Sequence, residues 1–389
     1  MRSTLPRVVV DLEKLRHLNC GLGRFSLHLG QGLLKDAAEH FEPVFLLPAG
    51  AERHFPEGGF ERIRVAPWRK EFLRRWIRPL ASPVLPRSRV ALWHATNQMS
   101  KYLPLDPRVP VLLTIHDLNF LHGADGDQRP DRIARKLADI RRRVARATAI
   151  ATDSEFVARD LAARVDLGDR PVHVVPLGVS TPPPAATRRP DFLPEGSFLF
   201  SIGNALPHKN FHVLLDLIEQ LPNRRLVIAG KMATPYGGFL HEQVAARGLS
   251  ARVLLPGEVA DDVRQWLYEQ CEAFFFPSLA EGFGFPVLEA MQCGKPVFLS
   301  PATSLPEVAG GRGFLLESFS GPAMAATYRA GMEAVEADPE FAARARAHAT
   351  EFSWGATARR YAELYRSLVT VEPARERRSA IAHDRRGAG

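Results

Sequence analysis

Phe274-Phe275-Phe276-Pro277-Ser278-Leu279-Ala280-Glu281-Gly282-Phe283-Gly284-Phe285-Pro286-Val287-Leu288-Glu289-Ala290-Met291-Gln292-Cys293-Gly294-Lys295-Pro296-Val297 reads as a strand, a tight turn and a short helix, in that order. Phe274, Phe275 and Phe276 form an uninterrupted apolar run, the pattern of a parallel strand covered on both faces. Pro277 and Ser278 end it. Pro286 suits the first position of a helix, and Gly294 with Pro296 suits its exit. Glu281 then stands in the loop before the helix, and Glu289 one turn inside it. The backbone amides of Gly282, Phe283, Gly284 and Phe285 crowd the helix N-terminus, where unpaired N–H groups and the helix dipole favour an anion. Carboxylates on either side of that anion site can accept hydrogen bonds from neutral hydroxyls while the amides hold a phosphate. A sugar nucleotide carries both kinds of group.

Glutamates at this spacing would by themselves read as a solvated loop carboxylate and a helix-start carboxylate. The longer run from Pro277 to Val297 resembles the signature of glycosyltransferase family 4, retaining enzymes of the GT-B fold. The resemblance implies an α/β chain of two Rossmann-like domains whose parallel sheets face each other across a cleft. It also implies that Glu281 contacts the donor sugar's hydroxyls and Glu289 the nucleotide ribose.

Composition fits that size of molecule. The chain has 389 residues, 46% of them hydrophobic, enough for two domains with their own cores. No stretch approaches the roughly 18–20 uninterrupted apolar residues of a membrane span. Met1-Arg2-Ser3-Thr4-Leu5-Pro6 is too short, and too soon broken by proline, for a signal peptide. Cys20, Cys271 and Cys293 are scattered and odd in number, which fits reduced thiols of a cytoplasmic protein and no metal-ligand spacing. The formal net charge of +8 favours an anionic partner: nucleotide, phospholipid surface, acidic saccharide or nucleic acid. A non-enzymatic nucleic-acid binder is the weakest of these readings. The chain has no recognisable nucleic-acid module and no aromatic platform interleaved with its basic residues, so no nucleic-acid partner is expected.

Upstream of the signature, Arg7-Val8-Val9-Val10-Asp11 fits a first strand. Asn19-Cys20-Gly21-Leu22-Gly23-Arg24 then turns into a helix from Phe25. Ser26 stands where a full G-x-G-x-x-G would have its third glycine, so spacing alone supports only a loop glycine pair. The stretch resembles the family's first loop, which implies that the amides of Gly21 and Gly23 approach the donor diphosphate. Further apolar runs at 43–47, 90–93 and 109–115 alternate with helical patterns, the mark of a parallel sheet covered on both faces. Ligands of such sheets bind at the carboxyl ends of strands, where this sequence has His94 and His116-Asp117. Taken alone, His116 reads as a core histidine bonded to backbone. Thr114-Ile115-His116-Asp117-Leu118 resembles the family's strand-end His motif, which implies that His116 borders the donor-sugar pocket while Asp117 holds the loop. The basic helix expected over 132–147 carries Arg141, Arg142, Arg143 and Arg146, and fits a solvated face and an acceptor-facing surface equally. Ser154 is placed to cap the next helix. A last strand is expected from Val172, followed by a proline-rich linker at 181–190.

The second half begins with a strand over 197–203, then Asn204-Ala205-Leu206-Pro207-His208-Lys209-Asn210 and an apolar-periodic helix from Val213. The family holds the donor diphosphate with an Arg and a Lys at this turn. By resemblance Lys209 is that Lys, His208 stands at the Arg position, and Asn204 follows the glycine; His208 or a more distant Arg would fill the missing place. The strand ends at Gly230 and at Gly257-Glu258-Val259 correspond to the family's walls around ribose, diphosphate and base. That makes Gly230, Glu258 and Val259 binding candidates, although Glu258 alone reads as an exposed loop residue. Glu307 reads as a helix-start or loop-bracing group. The segment 352–368 has the pattern of one amphipathic helix, which the resemblance returns to the first domain. The Arg-rich tail from Val371 has almost nothing apolar to bury and is expected to be disordered. The expected division is 1–182, 183–352, 353–370 and the tail 371–389.

The chemistry implied is transfer of a hexose, with mannose on GDP favoured, from a nucleotide sugar donor to a saccharide or lipid-linked acceptor in bacterial envelope polysaccharide synthesis. The leaving diphosphate would be met by the helix N-terminus, the Gly21 and Gly23 amides and Lys209. No second carboxylate is placed as a nucleophile, and the resemblance implies front-face attack aided by the leaving phosphate. Catalytic roles fall on Glu281, His116 and Lys209, with no cofactor and no metal. Two enzymatic rivals stand beside it: a metal-dependent transferase using Asp125-Gly126-Asp127, which reads as a polar loop, and a GT-B epimerase or phosphorylase. Finally, Phe72, Leu73, Trp76, Ile77 and Leu80 form an apolar stripe rimmed by Arg69, Lys70, Arg74, Arg75 and Arg78. The pattern at 68–80 fits a core-facing helix with a basic edge and a helix lying on an anionic membrane equally. The family's lipid-linked acceptors favour the membrane, and with it peripheral attachment at the cytoplasmic face.

Overall fold

The computed structural model describes residues 5–18, 20–36, 39–65, 90–122 and 129–370. The segment 68–80, the pair Asp125 and Asp127, and the tail from 371 lie outside the described residues. Two separate parallel sheets organise the rest. The first contains β1 (Arg7–Asp11), β2 (Glu42–Leu47), β3 (Glu61–Arg64), β4 (Val90–Ala95), β5 (Val111–Ile115), β6 (Ala149–Thr152) and β7 (Val172–Val174), in the order β3-β2-β1-β4-β5-β6-β7. The second contains β8 (Phe198–Ile202), β9 (Arg225–Ala229), β10 (Val253–Gly257), β11 (Ala273–Phe276), β12 (Val297–Leu299) and β13 (Phe314–Leu315), in the order β10-β9-β8-β11-β12-β13. Every described pairing is parallel, and the central strands are apolar on both faces. Val8, Val9 and Val10 in β1 and Phe274, Phe275 and Phe276 in β11 are all fully buried, as a sheet covered by helices on each side requires. The expected α/β architecture of two Rossmann-like sheets is the one observed.

Strand order reverses between β1 and β4 in the first sheet and between β8 and β11 in the second. These are the switch points at which doubly wound sheets open a crevice. Helix α1 (Gly21–Asp36) follows β1, after a 3₁₀ turn at Glu13–Arg16. It therefore begins at Gly21 itself. Helix α2 (Pro130–Arg146) is the basic helix; Arg142 is exposed and pairs with Asp139 on the same helix, as a solvated face requires, while other arginines are engaged with the domain's own backbone. Arg143 donates to the Ser100 carbonyl at 2.8 Å and Arg146 to the Val109 carbonyl at 2.8 Å, while Arg141 reaches the Arg164 carbonyl at 3.2 Å. These three hold backbone carbonyls of their own domain, two in loops and one at the end of a helix. Helix α3 (Glu155–Arg164) starts at Ser154, whose hydroxyl accepts from the Val157 amide as expected of an N-cap.

The second domain adds α4 (Val213–Glu219), α5 (Pro235–Ala246), α6 (Asp261–Gln270), α7 (Phe285–Gln292), α8 (Leu305–Ala309), α9 (Gly321–Glu336) and α10 (Phe341–Thr350). Helix α7 begins one residue earlier than its proline suggests. Gly284 caps it with φ of 109°, a left-handed conformation that L side chains rarely adopt, and Pro286 is second in the helix. The chain then crosses back. Val179 bridges Ser353, and a Cβ on Gly178 would stand 2.1 Å from the Trp354 amide nitrogen, so the outgoing and returning segments run in direct contact. Helix α11 (Trp354–Thr370) lies on the first domain against α1. Its Tyr365 hydroxyl meets His94 Nδ1 at 2.7 Å and its Tyr361 hydroxyl meets Thr114 Oγ1 at 3.0 Å, both deep in the first core. Burial holds the His94 pKa down at about 3, so this strand-end histidine is a neutral core group.

Candidate active site

The domains face each other across a cleft of about 990 Å³. Its walls are the loops at the carboxyl ends of β1, β5, β6, β8, β9, β10 and β11, together with the N-termini of α1 and α7. Lys209 sits on the 3₁₀ turn Pro207–Lys209, which Asn210 closes in the left-handed conformation at φ 56°. Its stem passes Gly203, where a Cβ would come within 3.3 Å of Lys209 Cε. Its ammonium lies 5.0 Å from the centre of the Phe276 ring and donates to Glu281 Oε1 at 2.5 Å. Both side chains are largely shielded, at 14% exposure each. The loop carrying Glu281 is fixed from the turn after β12. Thr303, held at φ 58°, accepts from the Glu281 amide at 3.1 Å. Ser304 Oγ donates to the carbonyls of Glu281 and Phe283 at 3.0 and 2.9 Å.

Glu289, on the face of α7 that looks into the cleft, is held from two directions. Tyr268 of α6 donates to its Oε2 at 2.8 Å, and Arg24 of the first domain donates to its Oε1 at 3.3 Å. Burial, then the charge of Glu289, pushes the Tyr268 phenol well above its ordinary pKa, so it stays a donor. Arg24 and Tyr268 are cleft residues to which the sequence assigned no role. Arg24 lies next to the glycine pair, and that proximity was the available signal. Tyr268 sits on α6, just before the strand that opens the Glu281 stretch, at a position no motif singles out, and gave none.

His116 is buried, and both its ring nitrogens are engaged inside the first domain. Nε2 donates to the Thr96 carbonyl at 2.8 Å, and Nδ1 donates to Asp153 Oδ2 at 2.6 Å. A carbonyl can only accept, so Nε2 carries a hydrogen. Burial alone would lower the imidazole pKa; the charge and hydrogen bond of Asp153 and the Thr96 carbonyl outweigh it and hold the pKa above its usual value. The ring is thus braced at the cleft wall, and any direct use of a ring nitrogen by a ligand requires one of these bonds to break. Asp117 fits its loop-holding role: its side chain accepts from the Asn119 amide at 3.1 Å.

The cleft gathers Gly21, His116, Asn204, His208, Lys209, Gly230, Glu258, Val259, Glu281, the loop from Gly282 to Phe285, and Glu289. Gly23 stands apart. Its amide donates to the Cys20 carbonyl at 3.1 Å, and a Cβ would stand 2.0 Å from the His17 carbonyl oxygen. Its missing side chain makes room for the preceding turn rather than for a ligand. Gly230, at φ 120°, has its absent Cβ 2.2 Å from the Gly203 carbonyl oxygen, so adjacent strand ends pack backbone to backbone at the cleft floor. His208 is half-buried and offers its carbonyl to the Leu279 amide at 2.7 Å. Further cations at the cleft are Lys231 and Arg264, the latter bonded to Asp261 at 2.8 Å. Among the described residues, no group of His, Cys, Asp and Glu side chains clusters to hold a metal ion. Burial raises the Cys271 thiol to about 12 and also raises Cys293, so these thiols are held protonated.

Two doubly wound domains that meet across their switch points make a GT-B fold, and solved structures agree. A glycosyltransferase from Rickettsia africae superposes with a TM-score of 0.70 at 15% identity, covering 95% of this chain and 100% of that one. Anabaena HepE in complex with UDP-glucose does so at 0.64 and 20% identity, covering 93% and 99%. Residues 20–182 match the family model described as Glycosyltransferase Family 4, and residues 187–352 the one described as Glycosyl transferases group 1. The chain belongs to this glycosyltransferase family. Among curated relatives, O-antigen chain mannosyltransferase B of Escherichia coli is 34% identical over 157 residues, 39% of this chain and 41% of the relative. The match therefore spans about two fifths of that relative's length. Among the described residues no helix is long and apolar enough to cross a membrane.

Proposed function

We propose that the chain transfers a hexose, mannose first among those to test, from a nucleoside diphosphate sugar to a saccharide or lipid-linked acceptor, with retention of the anomeric configuration. The observation that carries the reading is the convergence, in one cleft, of the Lys209–Glu281 pair, Glu289 and the N-terminus of α7. Lys209 and the helix N-terminus neutralise charge developing on the leaving diphosphate. Glu281 accepts hydrogen bonds from donor-sugar hydroxyls, and Glu289 accepts them from the ribose with lone pairs that Arg24 and Tyr268 leave open. The His116 ring, held by Asp153 and the Thr96 carbonyl, shapes the wall nearest the sugar rather than acting as a proton shuttle. Arg24 or Arg264 supplies the guanidinium that the His208 position lacks. The reaction needs no metal, and the acceptor is met at the cytoplasmic face of the membrane, with 68–80 as the anionic-lipid contact.

The test is a panel of nucleotide sugars, including GDP-mannose and UDP-glucose, scored for donor-dependent thermal shift and for product with and without acceptor. Acceptor-dependent product with the donor's anomeric configuration, read by NMR on fresh product, is the expected result. An inverted anomer overturns retention. Turnover that ignores the acceptor favours an epimerase or phosphorylase instead. Co-sedimentation with anionic and neutral liposomes, repeated with Arg74→Glu/Arg75→Glu/Arg78→Glu, tests the membrane contact, which equal pelleting of both proteins removes.

A further inference from the structure

Helix α3 belongs to the first domain, but its N-terminus is completed by the second. The first-turn amides of a helix have no partner inside it and must find one elsewhere. Ser154 accepts from the Val157 amide at 3.2 Å in the usual way. The amides of Glu155 and Phe156 instead donate to the two carboxylate oxygens of Glu307, at 2.7 and 3.0 Å. Glu307 stands on α8, across the domain boundary. A carboxylate there gains both charge-assisted hydrogen bonds and the positive end of the helix dipole.

The same corner holds a second link between domains. Ser154 Oγ donates to the Gly282 carbonyl at 3.1 Å, so one hydroxyl caps α3 and grips the loop that follows Glu281. Ser304, next to α8, grips that loop from the opposite side through the carbonyls of Glu281 and Phe283. Gly282 sits so close to the first domain that a Cβ would lie 2.1 Å from the His116 carbonyl oxygen. The carboxylate, the helix end, the glycine loop and the His116 strand end are thus one continuous contact.

We propose that Glu307 is a positioning residue for sugar transfer: by capping α3 across the boundary, it seats the Gly282 loop, and Glu281 with it, against the His116 strand end. The proposal rests on the transferase reading above. With the domains apart, the two amides and the carboxylate return to water, so the latch contributes only the difference between two hydrogen-bonded states. That makes it reversible within a catalytic cycle. Its loss acts on the assembled site and leaves nucleotide binding to the second domain in place.

Glu307→Ala removes both acceptors, and Glu307→Gln keeps one. Glu155→Pro removes a donor from the other side, at a first helical position that tolerates proline. In Glu307→Ala and Glu155→Pro, kcat should fall about tenfold or more, the scale of a misplaced catalytic group, with a smaller loss in Glu307→Gln. Nucleotide Kd should stay within about twofold, and the double variant should lose no more than the worse single one, as members of one contact do. Small-angle scattering of the same proteins should show weaker compaction on adding nucleotide. Native kcat in the variants, losses that multiply in the double variant, or unchanged compaction overturn the latch. A wild-type protein that turns over no nucleotide sugar overturns the transferase reading instead, and compaction then decides the latch by itself.

Discussion

The two walls of the cleft are built in opposite ways. The second domain presents both its cleft carboxylates from one short stretch of chain: strand β11, the Glu281 loop and α7 lie within residues 273–292, while Lys209, Tyr268 and Arg264 reach the same cleft from other parts of that domain. Its charged groups point into the cleft and meet one another there. The first domain draws its wall from the start of α1 and the strand ends after β5 and β6, and, Arg24 apart, its polar groups are mostly engaged with each other behind the surface. His116 is held by Asp153 and Thr96, and Asp11 is buried beside Ser100. Burial pushes the Asp11 carboxyl up to about 6, so this residue too belongs to the frame rather than to the ligand surface. A wall of available groups faces a wall of internally satisfied ones. The former suits a charged donor with many fixed contacts, and the latter a frame against which the donor side closes.

That contrast is open to test, beginning where the effect is largest. Glu281→Gln keeps the size of the side chain but removes the charge that pairs with Lys209. Loss of kcat by about 10²–10³-fold with nucleotide affinity nearly unchanged is the expected outcome, measured by steady-state kinetics and calorimetry. A native rate would remove the second-domain wall from the chemistry. Next, Glu289→Ala should weaken donor binding by roughly 1.5–3 kcal/mol, the worth of a hydrogen bond to a charged group, while Tyr268→Phe should cost about 1 kcal/mol. Equal, negligible effects would mean that Glu289 serves only to hold Arg24.

On the frame side the effects are smaller and appear as pH dependence. His28 stacks on Trp354 at 4.8 Å between ring centres, and burial, then the charge of Arg24, lowers its pKa from 6.5 to about 4. The unfolded chain therefore binds a proton that the folded chain refuses, and stability is lost as pH falls from 6.5 towards 4. Discounted for partial exposure, His28 should contribute about 1–2 kcal/mol to that loss, and His28→Phe, which keeps a ring on Trp354, should flatten the melting temperature over that range. His116 has the opposite sign: its stabilisation is complete below its unfolded pKa and fades as pH rises through its raised folded value. The smallest expected effect is that of EDTA on turnover, which should be none. A loss restored by manganese would shift the assignment to Asp125 and Asp127.

The same contrast governs what the sequence could reveal. The fold was legible because apolar strands with glycine and proline punctuation repeat across both halves, and the Glu281–Glu289 run is contiguous, so spacing alone placed its carboxylates around a helix N-terminus. Lys209 was legible from its motif. Tyr268 and the Arg24–Glu289 contact were not, because they depend on how α6 and α1 lean over the cleft, a tertiary fact without a local pattern. Gly23 was read as a phosphate contact because a glycine makes room for a ligand and for a neighbouring turn with the same letter. Arg142 faces solvent as charge patterning suggests, but that patterning does not reveal the guanidinium groups of Arg143 and Arg146 bonded to buried loop carbonyls. Glu307 was read as a helix-start or loop-bracing group, and its carboxylate instead meets the end of a helix in the other domain.

The return of α11 to the first domain also bears on the order in which the protein is made. Phe41, His94 and Thr114 find their partners Tyr361 and Tyr365 only after the whole second domain has been synthesised. Domains usually fold as they emerge, N-terminal first. Here the early domain must wait on the ribosome with a tyrosine-shaped gap in its core, and its last packing step is a long-range capture of residues translated hundreds of codons later.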